Sequence, residues 1–324
     1  MIFIQVIKMC IKWFIPYGII LLRRKKLQEL QKLEKALSEQ QYQEKGTEIK
    51  KYFLSLNKDD IDDNEILEII DYFMKYKFSI FPYSFSRKYH VMDIGVFYDK
   101  TNKTHYVLHE NKRLYYPDDW ESENIRTHYN GLCIEQDKDS PHRYETDEFT
   151  VKSGDIIVDV GVAEGIWALS YAEKAGKIYL FECDKKWIKA LRKTFEPWKE
   201  KVVIVDKYVS DTSDKKNISL DDFFNKERID FIKADIEGME IKLLEGSKEI
   251  LARNSNLTLL LCAYHSANDA TEIKKYLELN NFYTEYSKRY MLIINDEVLE
   301  KPYSKYIRRG LVRAKKNNSE WTKV

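Results

Sequence analysis

Residues 155–182 read D-I-I-V-D-V-G-V-A-E-G-I-W-A-L-S-Y-A-E-K-A-G-K-I-Y-L-F-E, and this stretch limits the possible folds more than any other. An apolar run ends in Asp159, turns through Gly161 and Gly165 into a helical segment, and gives way to a second apolar run ending in Glu182. The pattern predicts a strand, a glycine-bearing turn, a helix and a second strand. Further apolar runs at 202–205, 229–234 and 257–262 follow 155–160 and 177–182, with helical spacing between them. Alternation of this kind implies an α/β fold, a doubly wound parallel sheet with helices on both faces. Two short runs at 282–286 and 290–294 are separated only by Ser287-Lys288-Arg289. A gap that short leaves no room for a crossover helix, so the expectation is a hairpin whose final strand runs antiparallel. The expected sheet has five or six parallel strands plus a terminal antiparallel one.

In such a sheet ligands sit at the carboxyl ends of the strands, and an acid after the second strand is placed to accept hydrogen bonds from a ribose. Glycines let backbone approach the ligand, and the helix amino terminus offers free N–H groups. A dinucleotide fingerprint packs its glycines as G-x-G-x-x-G to admit a pyrophosphate. Here the turn is D-x-G-x-x-x-G and contains Glu164. Carboxylates around the loop repel a pyrophosphate and suit a cation. S-adenosylmethionine, with an adenosine, an ammonium group and a sulfonium but no phosphate, fits that requirement.

An ordered series of segments supports this reading: I-I-V-D-V-G-V-A-E-G (156–165), I-Y-L-F-E (178–182), V-V-I-V-D-K-Y-V-S-D (202–211), I-S-L-D-D-F (218–223) and I-D-F-I-K-A-D-I-E-G-M-E (229–240). Over about residues 145–295 the chain resembles the FkbM-type family of S-adenosylmethionine-dependent O-methyltransferases, the segment I-K-A-D-I-E-G-M-E most of all. It departs from the commonest family pattern at Ala163 and Glu164, and where the fifth strand ends L-L-L-C-A-Y-H. The resemblance implies a Rossmann-like methyltransferase sheet, S-adenosyl-L-methionine as cofactor, and methyl transfer to an oxygen. Relatives are tied to surface polysaccharide or secondary-metabolite assembly, which implies a sugar hydroxyl on a surface polysaccharide or lipid-linked glycan as acceptor.

On this reading Asp159 faces the ammonium group and Gly161, Glu164 and Gly165 form the loop. Glu182 takes the ribose hydroxyls, while Asp206, Ser210 and Asp211 reach the adenine edge. Asp235, Glu237 and Glu240 crowd the carboxyl edge, the first two as candidate catalytic residues, and repulsion among grouped carboxylates raises the pKa of at least one unless a cation lies nearby. Glu240 reads as a capping group at the next helix. His265, just past the fifth strand, is a candidate base for the acceptor proton, with Asp235 as its rival. His142, Arg143 and Tyr144 precede the first sheet strand and are candidates for the acceptor pocket. Carboxylate clusters bind Mg²⁺, but the resemblance requires no metal and none is assigned.

The 324 residues divide by pattern into a helical amino-terminal segment (1–45), an accessory mixed α/β module (46–145), the cofactor-binding domain (146–300) and a basic tail (301–324). Helices are expected at 19–45 (stopped by Gly46), 64–76 and 121–134, and a strand pair at 89–98 and 105–116. Charged residues form 33% of the chain and sum to +1, which gives no case for nucleic-acid binding. Four scattered cysteines without a C-x-x-C pair indicate a reduced, cytoplasmic protein. Within residues 2–22, Gln5, Lys8 and Lys12 share one face opposite Ile4, Ile7, Ile11 and Phe14. That predicts an amphipathic helix docked on the inner face of the membrane, on the chain's own domain or on a second subunit of a homo-oligomer. Two other classes compete: a non-catalytic scaffold of the same fold in a membrane biosynthetic complex, and a nucleotide-dependent oxidoreductase.

Overall fold

The computed structural model describes residues 39–294 and 306–316. The expectations for the amphipathic segment 1–22 and for most of helix 19–45 lie outside the described residues. The strands in chain order are β1 (Val96–Asp99), β2 (Thr104–His109), β3 (Lys112–Tyr115), β4 (Ile156–Val160), β5 (Lys177–Phe181), β6 (Val202–Val205), β7 (Tyr208–Val209), β8 (Asn217–Ile218), β9 (Phe231–Ala234), β10 (Thr258–Cys262), β11 (Phe282–Tyr286), β12 (Met291–Leu292), β13 (Ile307–Arg308) and β14 (Leu311–Lys316).

Seven of them form one sheet in the order β11-β14-β10-β9-β4-β5-β6. Strands β4, β5, β6, β9 and β10 are parallel. Strand β14 runs antiparallel to both β10 and β11, so β11 points the same way as the rest. The strand order reverses between β4 and β9, which makes the carboxyl ends of those two strands the switch point where α/β sheets place ligands.

Period-two alternation divides the core. Ile157, Ile178, Leu180, Phe231, Leu260 and Leu311 face one side of the sheet, packed with Val107, Leu114, Tyr116, Ile125, Phe149 and Trp167. Val158, Val160, Tyr179, Phe181, Ile232, Leu259, Leu261 and Val312 face the other, under helices 240–245, 248–253 and 269–279. The accessory segment therefore splits. Residues 107–151 complete one face of the main core, while Ile49, Phe53, Ile66, Ile69 and Phe73 build a satellite core with Met291, Leu292 and Tyr306.

Four expectations change. The antiparallel partner of 282–286 is β14, inside what reads as a basic tail, whereas Met291–Leu292 leaves the sheet to pair with Ile307–Arg308. The tail's basic residues belong to the fold: Arg313 donates to the carbonyls of Tyr144 (2.7 Å) and Arg143 (2.5 Å) and to Glu285 (3.0 Å). Gly46 does not stop a helix, because helix 39–55 runs through it and the Phe78 ring fills the space a Cβ there would need. The expected pair at 89–98 and 105–116 is three strands, since β2 and β3 are themselves joined by a tight turn at Glu110 and Asn111, both at positive φ. The helices at Asn64–Lys75 and Ser122–Glu135 lie within a residue of expectation at each end. Asp63 caps the first by accepting the Glu65 N–H at 2.8 Å.

Candidate functional site

Strand β4 ends in Val160 and the chain passes directly into Gly161, at φ +72°. A Cβ on Gly161 would lie 1.9 Å from the Asp235 carbonyl oxygen, so only glycine lets this turn touch the end of β9. Ala163 also takes positive φ, and its N–H donates to Glu182 Oε2 at 2.8 Å. The other oxygen of Glu182 accepts the N–H groups of Cys183 (2.7 Å) and Asp184 (2.8 Å). One carboxylate thus locks the loop after β4 to the loop after β5.

Beside this lock opens a cavity of about 500 Å³, lined by the turn residues Gly161 and Ala163, by polar Glu182, Ser210, Asp235 and Glu237, and by apolar Val160, Phe181, Val209, Ile236 and Met239. Its size and mixed lining are those of a small-molecule site. A second cavity of about 470 Å³, lined by Lys152, Asp155, Arg228, Asp230 and Thr258, opens at the amino ends of β4, β9 and β10, away from these acids.

Asp235 joins the cavity to the segments 142–144 and 264–265. It accepts hydrogen bonds from Tyr144 (3.2 Å) and Tyr264 (3.0 Å), with His265 Nε2 at 3.4 Å and His142 Nε2 at 3.8 Å. Burial works against its charge, but the neighbouring His265 and the charge of Lys233 hold its carboxyl below the usual range. Burial also opposes protonation of His265, yet Asp235, Glu240 and Glu237 together raise its pKa. His142 is 3% exposed, and burial lowers its pKa to about 4, so it is neutral near pH 7. Glu237 sits at φ +55° and Gly238 at +87°, a turn that leaves the Glu237 side chain 94% exposed at the cavity rim.

The structure brings Gly161, Glu182, Ser210, Asp235 and Glu237 to the cavity, with His142, Tyr144 and His265 behind Asp235. The other candidates lie elsewhere. Asp159 is 1% exposed and paired with Lys233, whose Nζ is 3.0 Å away, so it does not face a ligand. Asp159 and Lys233 point to the same sheet face in register, which draws the acid into the core. Glu164 is also buried, in a void of about 20 Å³ shared with Glu135, Tyr144, Asp159 and Lys233, and burial raises its pKa to about 7. Gly165 packs against Leu191 and Phe195 and does not line the cavity. Asp206 is exposed and ion-paired with Lys185. Asp211 accepts the Ser210 hydroxyl at 2.9 Å and does not line the cavity. Arg143 donates to the Gln136 carbonyl and fastens its own loop.

Lys233 and Tyr264 were not candidates on sequence grounds. A lysine inside the apolar run F-I-K-A is the signal that could have revealed the first, since a buried cation demands a buried acid. Tyr264 carries no such mark beyond its place beside His265. Among the described residues, His142–Asp235–Cys262 and Asp235–Glu240–His265 cluster closely enough to suggest a metal.

The sheet order, the single antiparallel strand next to the edge, and the acid-rimmed cavity at the switch point define the Rossmann-like methyltransferase class of α/β folds. Residues 198–290 match the family profile described as the methyltransferase FkbM domain. Among solved structures, methyltransferase FkbM from Methylobacillus flagellatus KT is 14% identical, with 62% of this chain and 56% of that one covered and a TM-score of 0.41. The chain thus spans little more than half of that protein's length. Precorrin-6y C5,15-methyltransferase from Geobacter metallireducens GS-15 is 13% identical over 52% of this chain and 85% of that one, with a TM-score of 0.37. A Streptococcus mutans protein solved in complex with SAH is 15% identical over 52% and 91%, with a TM-score of 0.35. No curated protein matches the chain significantly.

The cavity residues fit S-adenosylmethionine. Carboxylates at Glu182 and Asp235 suit ribose hydroxyls and positive charge, and the apolar floor of Phe181, Val209 and Met239 suits an adenine. Lys207, the one basic residue in the lining, spends its ammonium on the carbonyls of Asp214 and Lys215, so no lining lysine or arginine is turned to the cavity for a pyrophosphate. Among the described residues no helix is long and apolar enough to cross a membrane.

Proposed function

We propose that this protein is an S-adenosylmethionine-dependent O-methyltransferase acting on a sugar hydroxyl of a surface polysaccharide or lipid-linked glycan. The observation that carries the reading is the cavity at the β4–β9 switch point, walled by Gly161, Glu182 and Asp235. When bound there, the cofactor supplies an electrophilic methyl group on a sulfonium. Glu182 holds the ribose end while keeping the two loops joined. Asp235, held ionised, presents negative charge to the sulfonium side, and His265 stands beside it to take the acceptor proton. Alignment of acceptor oxygen and methyl carbon is the main source of rate, worth about 7–11 kcal/mol in well-oriented systems.

The glycan acceptor extends the family resemblance, as does a cytoplasmic location close to the membrane. Incubation with methyl-labelled cofactor and fractionated cell-envelope glycans tests the acceptor. Label entering a saccharide fraction, stable to base and released as an O-methyl sugar, supports it. Label confined to protein or nucleic acid contradicts it.

A further inference from the structure

We propose that the cavity of about 470 Å³ at the amino ends of β4, β9 and β10 binds an acidic saccharide, a sugar or sugar chain carrying carboxylate or phosphate groups. The inference extends the glycan-acceptor reading above and rests on it for the use of the site, which is a second hold on the chain being methylated.

Four cations enter this cavity from three segments: Lys152 before β4, Arg228 before β9, and Lys315 and Lys316 at the end of β14. Arg228 is spent on Asp230, with Nη2 2.8 Å from Oδ2. The other three ammonium groups have no carboxylate partner among the described residues. Lys315 donates to the Glu148 carbonyl and lies 4.9 Å from the Phe149 ring. Lys316 donates to the Asn280 carbonyl at 2.9 Å and lies 4.5 Å from the Phe282 ring. Lys152 is exposed. Two acids of the lining are committed to their own loops: Asp230 accepts the Ile156 N–H at 2.8 Å and Asp155 accepts the Lys152 N–H at 2.6 Å. The third, Glu148, is exposed to water. A cation drawn partly out of water is costly until an anion meets it. Burial lowers the pKa of both Lys315 and Lys316, and Lys152 adds to the effect on Lys315, so an anion among them relieves a cost already present in the fold.

The apolar side of the cavity selects the kind of anion. Tyr283 is 51% exposed, and its ring stacks on Phe149 at 6.5 Å and 17°. Phe149 is fully buried, so the pair presents one flat face outward with the core behind it. A sugar ring lays its C–H face on such a surface while its hydroxyls meet the polar groups around it, here Ser153 and Ser255. A free phosphate has no use for Tyr283. A nucleic-acid strand stacks on tyrosine too, but it needs a basic groove that tracks several phosphates, whereas these cations are gathered in one cavity. The two cavities of the protein lie at opposite ends of β4, whose five residues span roughly 16 Å. A single sugar cannot occupy both, and a chain of several units is long enough to.

Calorimetry of the full chain tests this with four probes: hexagalacturonate as a carboxylate-bearing saccharide, glucose 6-phosphate as a phosphate-bearing one, maltohexaose as a neutral chain, and a single-stranded DNA hexamer. The expected result is saturable binding of at least one acidic saccharide, about 10-fold or more tighter than that of maltohexaose. Lys152→Glu should weaken it about 10-fold or more and Tyr283→Ala about threefold or more, with affinity for S-adenosylhomocysteine unchanged in both. The site is overturned if neither acidic saccharide binds, if maltohexaose binds equally well, or if a folded variant binds as tightly as the wild type. Tighter binding of the DNA than of either acidic saccharide overturns it as well. Should Tyr283→Ala fail to fold, Lys152→Glu, an exposed change, decides. Failure of the wild type to bind S-adenosylhomocysteine overturns the methyltransferase reading instead, and the saccharide titration still judges the site.

Discussion

Lys233 Nζ lies 3.0 Å from Asp159 Oδ1 beneath the Gly161 turn, with both side chains almost wholly buried. Lys233 also donates to the Gly161 carbonyl at 3.2 Å and approaches the Tyr144 ring to 5.0 Å. Burial lifts the Asp159 carboxyl against the pull of Lys233. Burial equally opposes the Lys233 charge, yet Asp159 and Asp235 hold its ammonium above the usual range. The pair is a floor for the site rather than a contact to the cofactor.

It follows that Asp159→Ala acts through stability. Removing one partner strands a buried cation and should cost about 3–5 kcal/mol. Lys233→Met alone should also destabilise, and the Asp159→Leu/Lys233→Met double variant should regain most of the loss. Urea unfolding of the four proteins checks this. An Asp159→Ala protein of wild-type stability that fails only in cofactor binding would reverse the assignment.

Glu182 is the opposite case. It lines the cavity and accepts three backbone N–H groups. Glu182→Ala should weaken S-adenosylhomocysteine binding by about 10–100-fold, the worth of one hydrogen bond to a charged group. Calorimetry reads that change directly.

Gly161→Ala should abolish binding and lower the melting temperature together. The added methyl collides with the Asp235 carbonyl, and alanine disfavours the +72° φ of this position. Thermal scanning with and without S-adenosylhomocysteine measures both effects.

Stability should fall as pH rises from 6.5 to 8. Burial lifts Glu135 to about 8 and Glu145, Glu164 and Glu240 to about 7. These groups stay protonated in the folded chain at pH values where the unfolded chain has released its protons. Folded pKa values above the unfolded ones give stability that is complete below about 4.5 and lost as pH climbs through 7–8. His142 and His128, both lowered to about 4 by burial, add stability as pH rises to about 7, so they oppose the four acids only at the lower edge of this window. His265, raised, has the same sign as the acids. Melting temperature measured from pH 6 to 8.5 should decline, and Glu135→Gln should flatten the decline.

The parallel strands and both acid-tipped ends were legible because each is a contiguous apolar run with an abrupt polar stop. Glu182 and Asp235 could be placed for the same reason. What escaped depended on neighbours remote in sequence. Asp159 looks identical to a ligand-facing acid until Lys233 is seen opposite it on β9. The insertion of β14 between β10 and β11 was hidden because Arg313 and Lys315 give an internal strand the composition of a solvated tail. Arg313 is buried only because two carbonyls and Glu285 receive it. The Glu110–Asn111 turn lacked the glycine that marks most tight hairpins.

The most direct test of the central claim, an adenosine-bearing sulfonium held between Glu182 and Asp235, is isothermal titration of the full chain with S-adenosylmethionine, S-adenosylhomocysteine and NAD. The account predicts saturable one-to-one binding of the first two and none of NAD. Binding of NAD without S-adenosylmethionine, or of neither, would contradict it.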